Sequence, residues 1–392
     1  MLRFMSNVLP TYPRSNLTFD YGEGSYLFEA NGDKYLDFGS GIAVNSLGYA
    51  NKYLNEKLMD QANKLWHVSN VYQIPEQERL AKRLCETCFA DYVFFCNSGA
   101  EAIEAAIKIA RRYFYVTEGS LTKTEIITFS GSFHRRTIGA LAAGGVEKLD
   151  GFNTSVPGFK QLQYNDHEAL EAAVSKDTAA ILIEPIQGEG GVSVLPIECL
   201  IGLRKLCDEN NILLIFDEVQ CGFLRSGKMF AHQWADIEPD IMTTAKAIAN
   251  GFPLGATMTS KKVGDVMHHG THGSTYGGNP LAVAVGNAVL DIMQKEIFLE
   301  NLKKVSSYFL AGLKEISNKF PDSISEIRGK GLILGLKCMK DNLKFVEELR
   351  KQKMLTIKAG DNVVRLLPPL TLSIKECDEA LEKITKACNS GY

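Results

Sequence analysis

Two side chains of opposite charge, Asp217 and Lys246, have the types and spacing to share one crevice. Asp217 follows Ile212 to Phe216, an unbroken apolar run bounded by Asn210-Asn211 before and acids after, the pattern of a strand buried on both faces of a parallel sheet. Lys246 closes a second short run, Ile241 to Ala245. The separation, 246 minus 217 or 29 residues, is about one strand–crossover–strand unit of roughly 30 residues. An amine and an acid at the carboxyl ends of strands in one sheet suit pyridoxal-phosphate chemistry. The lysine holds the aldehyde covalently, and the carboxylate keeps a proton on the pyridine nitrogen so that the ring accepts the electrons released when a substrate carbon loses its proton. The pair alone also fits a solvated loop lysine and a helix-capping aspartate.

Other clusters carry similar double readings. Asn97-Ser98-Gly99-Ala100-Glu101 follows a strand pattern and opens a helical one. It reads as a capping box, Ser98 with Glu101, and also as a phosphate seat, since the helix-start amides are free and Gly99 has no side chain. Phe133-His134-Arg135-Arg136-Thr137 offers an aromatic face for a planar cofactor and a guanidinium for a carboxylate, or else a core Phe followed by solvated arginines. Glu184 to Gly191 is a sharply bent loop with two carboxylates at the same sheet edge. His268, His269 and His272 have flanking glycines and no nearby carboxylate ligand, so a flexible loop is expected there and no metal.

These residues need a sheet to position them. From Asn51 the chain alternates helix and strand patterns: Tyr92 to Cys96, helix Ser98 to Val116, Thr124 to Phe129, Ala179 to Ile183, Ile212 to Phe216. Such alternation means a mostly parallel central sheet flanked by helices. Residues 15 to 45 hold a small antiparallel unit, with Asn31-Gly32 turning between Tyr26–Phe28 and Tyr35–Phe38. After Asn279-Pro280 come helical patterns Leu281 to Gln294 and Leu299 to Phe320, strand-like Gly331 to Lys337, helix Leu343 to Lys353, strand-like Val363 to Leu367, and a last helix Ser373 to Cys388. The fold class read from this is α/β. Residues 51–294 form a large cofactor-binding domain, and a small α+β domain is built from 295–392 joined by the 1–50 segment.

A chain of 392 residues, 45% hydrophobic, is ordinary for a soluble globular protein of this layout. With 43 basic and 46 acidic residues and a formal charge of −3, it has no block of like charge that suits nucleic acid, and no apolar stretch of membrane-spanning length. Met1 to Pro10 does not read as a signal peptide. Nine scattered cysteines, odd in number, fit reduced thiols in the cytoplasm, and Cys85-x-x-Cys88 reads as two thiols of a helix over Glu76 to Ala90.

Taken together the motifs stand in one order, and nearly the whole chain resembles the class III, or ω-amino, pyridoxal-phosphate aminotransferases. The resemblance rests on Tyr35 to Asn45, His67-Val-Ser-Asn70, Asn97 to Ala102, Phe133-His134 with Arg136-Thr137, Glu184 to Gly191, Asp217-Glu-Val-Gln220, Pro239 to Lys246, Ser274 to Pro280 and Arg365 to Pro369. It implies the fold type I architecture of pyridoxal-phosphate-dependent transferases and a homodimer with active sites at the subunit interface. It also implies residue roles: Lys246 and Asp217 catalytic as above, Gln220 and Val219 near the ring, Phe133 stacked on it, and Ser98, Gly99 and Ala100 holding the phosphate with Thr275 of the neighbouring subunit. Ser274 and Arg136 would meet substrate, and Arg365 with Glu189 would switch between two substrates. The implied reaction moves the δ-amine of N2-acetylornithine to 2-oxoglutarate, giving the semialdehyde and glutamate. Succinylornithine, succinyldiaminopimelate, ornithine and 4-aminobutyrate are the alternative donors. Three positions depart from the family's usual pattern: Arg135 replaces Gly, Leu47-Gly-Tyr-Ala50 replaces Gly-His-x-His-Pro, and Cys221 replaces Thr. Ile42 stands where ornithine δ-aminotransferases have an aromatic residue, which leans away from free ornithine. Two rivals lie outside the family: a nicotinamide oxidoreductase, for which no Gly-x-Gly-x-x-Gly follows a first strand, and a non-catalytic protein on the same fold.

Overall fold

The apolar run before Asp217 is a strand, Leu213–Asp217, buried at every residue. Its side chains alternate between two layers, as the period of two requires. Leu213 and Ile215 join a cluster with Ile103, Ile107 and Tyr113, whereas Leu214 and Phe216 join one with Ile181, Leu200 and Leu203. The first cluster is covered by the helix Gly99–Glu118 and the second by the helix Ile197–Glu209. A strand apolar on both faces is what a sheet sandwiched between helices demands.

The computed structural model describes residues 7–145, 151–152 and 156–392, so most of the leader reading, Met1 to Ser6, lies outside the described residues. The central sheet has seven strands in the order Tyr92–Cys96, Gly255–Thr259, Ile241–Thr244, Leu213–Asp217, Thr178–Ile183, Glu125–Phe129, Phe159–Leu162. Gly255–Thr259 runs against both neighbours, and the remaining pairs are parallel. The mostly parallel α/β sheet expected from the alternation is therefore present.

Among the described residues two four-stranded sheets and one two-stranded ladder accompany it. Phe19–Glu23, Tyr26–Glu29 and Lys34–Asp37 form an antiparallel meander, turning at Gly32 with φ +88°. Met354–Leu355, from the far end of the chain, adds to it in parallel with Lys34–Asp37. The second sheet, in the order Ile324–Lys330, Ile333–Cys338, Val363–Leu366, Ile357–Ala359, is accompanied by helices Glu296–Lys319, Asn342–Lys351 and Ile374–Asn389.

Some local expectations are corrected. Ile324–Lys330 is a strand that the sequence hid, because Ser325 and Glu326 are exposed and the other residues after Ile324 are only partly buried, leaving no apolar stripe. The helix expected to reach Ala90 stops at Cys85, so Cys88 lies beyond it, and all nine cysteines are free. His268 Nε2 lies 2.6 Å from Arg112 Nη2 and His272 Nδ1 lies 2.8 Å from Lys108 Nζ. Among the described residues no group of His, Cys, Asp and Glu is arranged to hold a metal, and no helix is long and apolar enough to cross a membrane.

Candidate active site

Asp217 ends its strand, so its side chain emerges at the carboxyl edge of the sheet while remaining 2% exposed. Buried carboxylates need donors. Oδ2 accepts from His134 Nδ1 at 2.9 Å, and Oδ1 accepts from the Val219 N–H at 3.2 Å and the Thr243 hydroxyl at 3.3 Å. Arg135 Nη2 lies 3.6 Å from Oδ1. Burial pushes the Asp217 carboxyl up, but the Arg135 guanidinium and the His134 bond outweigh it and hold the group below the usual carboxylate range. Glu184, at the end of the neighbouring strand Thr178–Ile183, goes the other way. Its own burial and then the Asp217 charge push its carboxyl up, although Oε2 accepts from the Phe133 N–H at 2.9 Å. Two carboxyls in one site thus divide, Asp217 charged and Glu184 favouring its proton.

Lys246 follows the strand Ile241–Thr244, beside Leu213–Asp217 in the sheet, with φ +52° that turns the chain sharply at this edge. Burial, then the charges of Arg135 and Arg365, push its ammonium down to about 7. Among the described residues its amine has neither a hydrogen bond nor an ion pair, so a neutral nucleophilic amine is accessible near neutral pH.

A second cluster adjoins it. Arg365, fully buried on the strand Val363–Leu366, donates through Nη1 to Gln220 Oε1 at 2.8 Å and pairs through Nη2 with Glu189 Oε1 at 2.7 Å. Glu189 keeps one third of its side chain, 33%, exposed, so one partner of the pair is buried and the other borders solvent. Gly188 makes the approach possible: a Cβ there would lie 1.8 Å from Gln220 Oε1.

The helix Gly99–Glu118 starts in the same region. Ser98 Oγ accepts from the Glu101 N–H at 3.3 Å, which is half of the expected capping box. The other half is displaced: the Glu101 carboxylate takes the Asn97 N–H at 2.7 Å and the Ser98 hydroxyl at 3.1 Å. Gly99 and Ala100, as the first helical residues, present N–H groups without partners inside the helix. The Phe133 ring lies near two cations, with guanidinium carbons 5.5 Å (Arg135) and 5.7 Å (Arg136) from its centroid. Arg136 is exposed, whereas Arg135 is turned in against Asp217. Ser274 Oγ accepts from Asn97 Nδ2 at 3.4 Å, close to the helix start. Ser274 and Thr275 both line a cleft of about 920 Å³ with His67, Phe94 and the His268–Gly273 loop, whose walls include neither Asp217 nor Lys246.

His134, Arg135 and Glu184 belong to this site; the sequence placed them in candidate clusters but assigned none of them a role of its own. A signal existed for each. His134 and Arg135 adjoin Phe133 in a loop leaving the sheet's carboxyl edge, and Glu184 is the first residue after a fully buried strand next to that of Asp217.

Residues 11–388 match the family described as aminotransferase class-III. The chain is 52% identical over 378 residues to the acetylornithine aminotransferase of Brucella melitensis biotype 1, covering 96% of this chain and 94% of that one. It is 52% identical over 380 residues to the acetylornithine aminotransferase of Mesorhizobium japonicum, covering 97% and 95%. Among solved structures, the ornithine aminotransferase of Toxoplasma gondii ME49 superposes with TM-score 0.93 at 31% identity, over 98% of this chain and 93% of that one. The N-acetylornithine aminotransferase of Stenotrophomonas maltophilia K279a superposes with TM-score 0.85 at 36% identity, over 97% of each. The chain belongs to the class-III aminotransferases, a family of pyridoxal-phosphate-dependent transferases, and the family resemblance read from its motifs is thereby shown.

Proposed function

We propose that this class-III aminotransferase binds pyridoxal 5'-phosphate and moves the δ-amine of N2-acetylornithine to 2-oxoglutarate, giving N-acetylglutamate 5-semialdehyde and glutamate, a step of arginine biosynthesis. The observation that carries the substrate pairing is the Glu189–Arg365 contact of 2.7 Å, one partner buried and the other one third exposed. Glutamate brings a carboxylate on the reacting carbon, whereas acetylornithine's reacting carbon carries only hydrogen. Arg365 suits the first, and Glu189 neutralises it for the second. Leaving one buried partner of such a pair alone costs roughly 3–5 kcal/mol. The names of the relatives at 52% identity support the acetylated donor. The fold itself does not discriminate, since an ornithine aminotransferase superposes as well as an acetylornithine one.

The residues fit the cofactor. A phosphate would find the Gly99 and Ala100 amides with Ser98, where Gly99 must lack a side chain because Arg135 Nε and Val219 Cγ1 stand 2.7 and 3.0 Å from where a Cβ would lie. Phe133 would offer a ring face, Val219 and Gln220 would border it, and Asp217 would keep a proton on the ring nitrogen. When bound, the cofactor supplies an aldehyde for an amine and a ring that accepts electrons. Lys246, its pKa lowered to about 7, would hold that aldehyde and would take up the proton released from the substrate's reacting carbon. His134 fixes the Asp217 carboxylate in place. Arg136 clamps the distal carboxylate, and Ser274 borders substrate.

We further assign 51–294 to a cofactor-binding domain and 295–392 with 1–50 to a small one, in a cytoplasmic homodimer where Thr275 reaches the neighbouring subunit's phosphate seat. Exposed Trp66, Val71, Tyr72 and Tyr276, 62 to 80% accessible, support such an interface near the Thr275 cleft. Donor panels test the substrate: N2-acetylornithine should give the highest kcat/KM, and faster turnover of ornithine or 4-aminobutyrate would overturn it. Glu189→Ala should slow the acetylornithine half-reaction far more than the glutamate one in single-turnover spectra. Equal losses would remove Glu189 from the switch.

A further inference from the structure

Arg135 has φ +91°, a left-handed value that strains any residue carrying a side chain. This backbone sends the side chain inward. Nη1 donates to the Phe133 carbonyl, Nη2 lies 3.6 Å from Asp217 Oδ1, and the guanidinium carbon is 5.5 Å from the Phe133 ring centroid. Nε comes within 2.7 Å of where a Cβ on Gly99 would stand. A flat cation therefore spans from the helix start to Asp217 beside an aromatic ring. Its Nη2 is buried without a hydrogen-bond partner, although the side chain as a whole is 12% exposed.

These three surfaces are those assigned above to the cofactor: Phe133 to its ring, Asp217 to its ring nitrogen, Gly99 and Ala100 to its phosphate. A guanidinium and a protonated pyridine ask for the same things, an aromatic face and a carboxylate facing an N–H edge. Asp217 has little left to give both. Oδ2 is taken by His134, and Oδ1 already accepts from Val219 and Thr243. Two cations sharing one buried carboxylate also repel each other.

We propose that Arg135 is an internal competitor for the cofactor seat: its guanidinium and the cofactor ring claim the same oxygen of Asp217, so binding requires Arg135 to withdraw and cofactor is held more weakly than the rest of the site allows. This rests on the pyridoxal-phosphate reading above.

The test compares wild type with Arg135→Gly, which removes strain and cation, and Arg135→Gln, which keeps a long side chain but removes the charge. Loss of visible absorbance on dilution of the holoprotein gives the release rate, and re-titration with pyridoxal phosphate and with pyridoxal gives the two affinities. Arg135→Gly should tighten both ligands by about tenfold or more and slow release, with Arg135→Gln between. Unchanged or weaker binding overturns the proposal. Selective weakening of pyridoxal phosphate but not pyridoxal also overturns it, because Arg135 would then be a phosphate ligand. Should Arg135→Gly not fold, as judged by circular dichroism, Arg135→Gln decides alone. Borohydride fixation separates the two readings. A reduced adduct at Lys246 in every variant with no change in affinity defeats only the Arg135 proposal, whereas no adduct in any variant defeats the cofactor reading and this proposal with it.

Discussion

Ionisable side chains crowded into one crevice cannot all keep their ordinary charge, and the way they divide sets what each can do. Asp217 is held ionised by Arg135 and His134 despite its burial, while Glu184 is driven towards its protonated form. Only Asp217 is then a standing anion. Asp217→Asn should keep the cofactor but lower turnover by about 10³-fold or more, on a scale where 1.4 kcal/mol is tenfold. Near-normal kcat with full visible absorbance would mean that another acid holds the ring proton. Lys246 carries the opposite burden. Its folded pKa of about 7 lies below the roughly 10.4 of an unfolded lysine, so between those values the unfolded chain binds more protons and stability rises with pH. The penalty is complete below about pH 7 and gone above about 10.4. Lys246→Met, which cannot ionise, should therefore melt higher than wild type at pH 6, both freed of cofactor, with the difference shrinking towards pH 10. A constant difference in Tm would assign the effect to packing. The amine that makes the site reactive is thus expected to cost the fold stability.

At the scale of elements, the site is a meeting of strand ends and the loops that leave them. Asp217 was legible because the run before it is uniformly apolar, and it is indeed the last residue of a buried strand. Lys246 was legible for the same reason, one strand over. What stayed hidden depends on contacts between distant segments. Nothing local says that His134 meets Asp217, 83 residues away, or that Gln220 meets Arg365, 145 residues away. The Ile324–Lys330 strand was hidden because its pairing with Ile333–Cys338 leaves most of it partly exposed, without the apolar alternation that marks a strand. The loop after Thr178–Ile183 was legible as a sharp bend, but its short ladder, Ile186–Gln187 with Ser193–Val194, was not. That ladder brings Gly188 against Gln220, with Arg365 Nη1 only 3.0 Å from the position of an added Cβ. Gly188→Ala should push Gln220 off Arg365, leaving a buried guanidinium short of an acceptor. A loss of about 1–3 kcal/mol in stability is expected, together with a weaker response to glutamate. Unaltered denaturation and half-reactions would show that Gln220 simply rotates aside.

Across the whole molecule, the part that carries Arg365 must be registered on the part that carries Asp217 and Lys246, and Arg225 is built to do this. It is 0% exposed and lies in the loop that leaves the Asp217 strand. Nη1 donates to the Leu332 carbonyl at 3.0 Å and to the Pro368 carbonyl, and Nη2 donates to Ser46 Oγ at 3.2 Å, so one side chain ties that loop to three distant segments. Its own carbonyl accepts from the Leu332 N–H at 2.9 Å, and Gly331, at φ +62°, lets the backbones touch where a Cβ would lie 2.5 Å from the Ser226 carbonyl carbon. The strand after Leu332 pairs Gly335 with Arg365, which completes the route from Arg225 to Arg365. Among the described residues no carboxylate pairs with Arg225, and burial lowers its pKa to about 9, so it is charged at pH 7 at a solvation cost that the three acceptors offset in part, its Nε being buried without a partner. Arg225→Met would remove that cost but orphan two buried carbonyls, at about 1–3 kcal/mol each. The two effects oppose one another in stability, while the side-chain tie to the segments around the Arg365 strand is lost and only the Leu332 N–H to residue 225 carbonyl bond remains there. The expected result is a modest fall in the urea midpoint beside a much larger loss in the glutamate half-reaction, in which the proposed role of Arg365 is to meet the α-carboxylate. A loss of stability with both half-reactions intact would make Arg225 a packing residue, with no part in aligning the site.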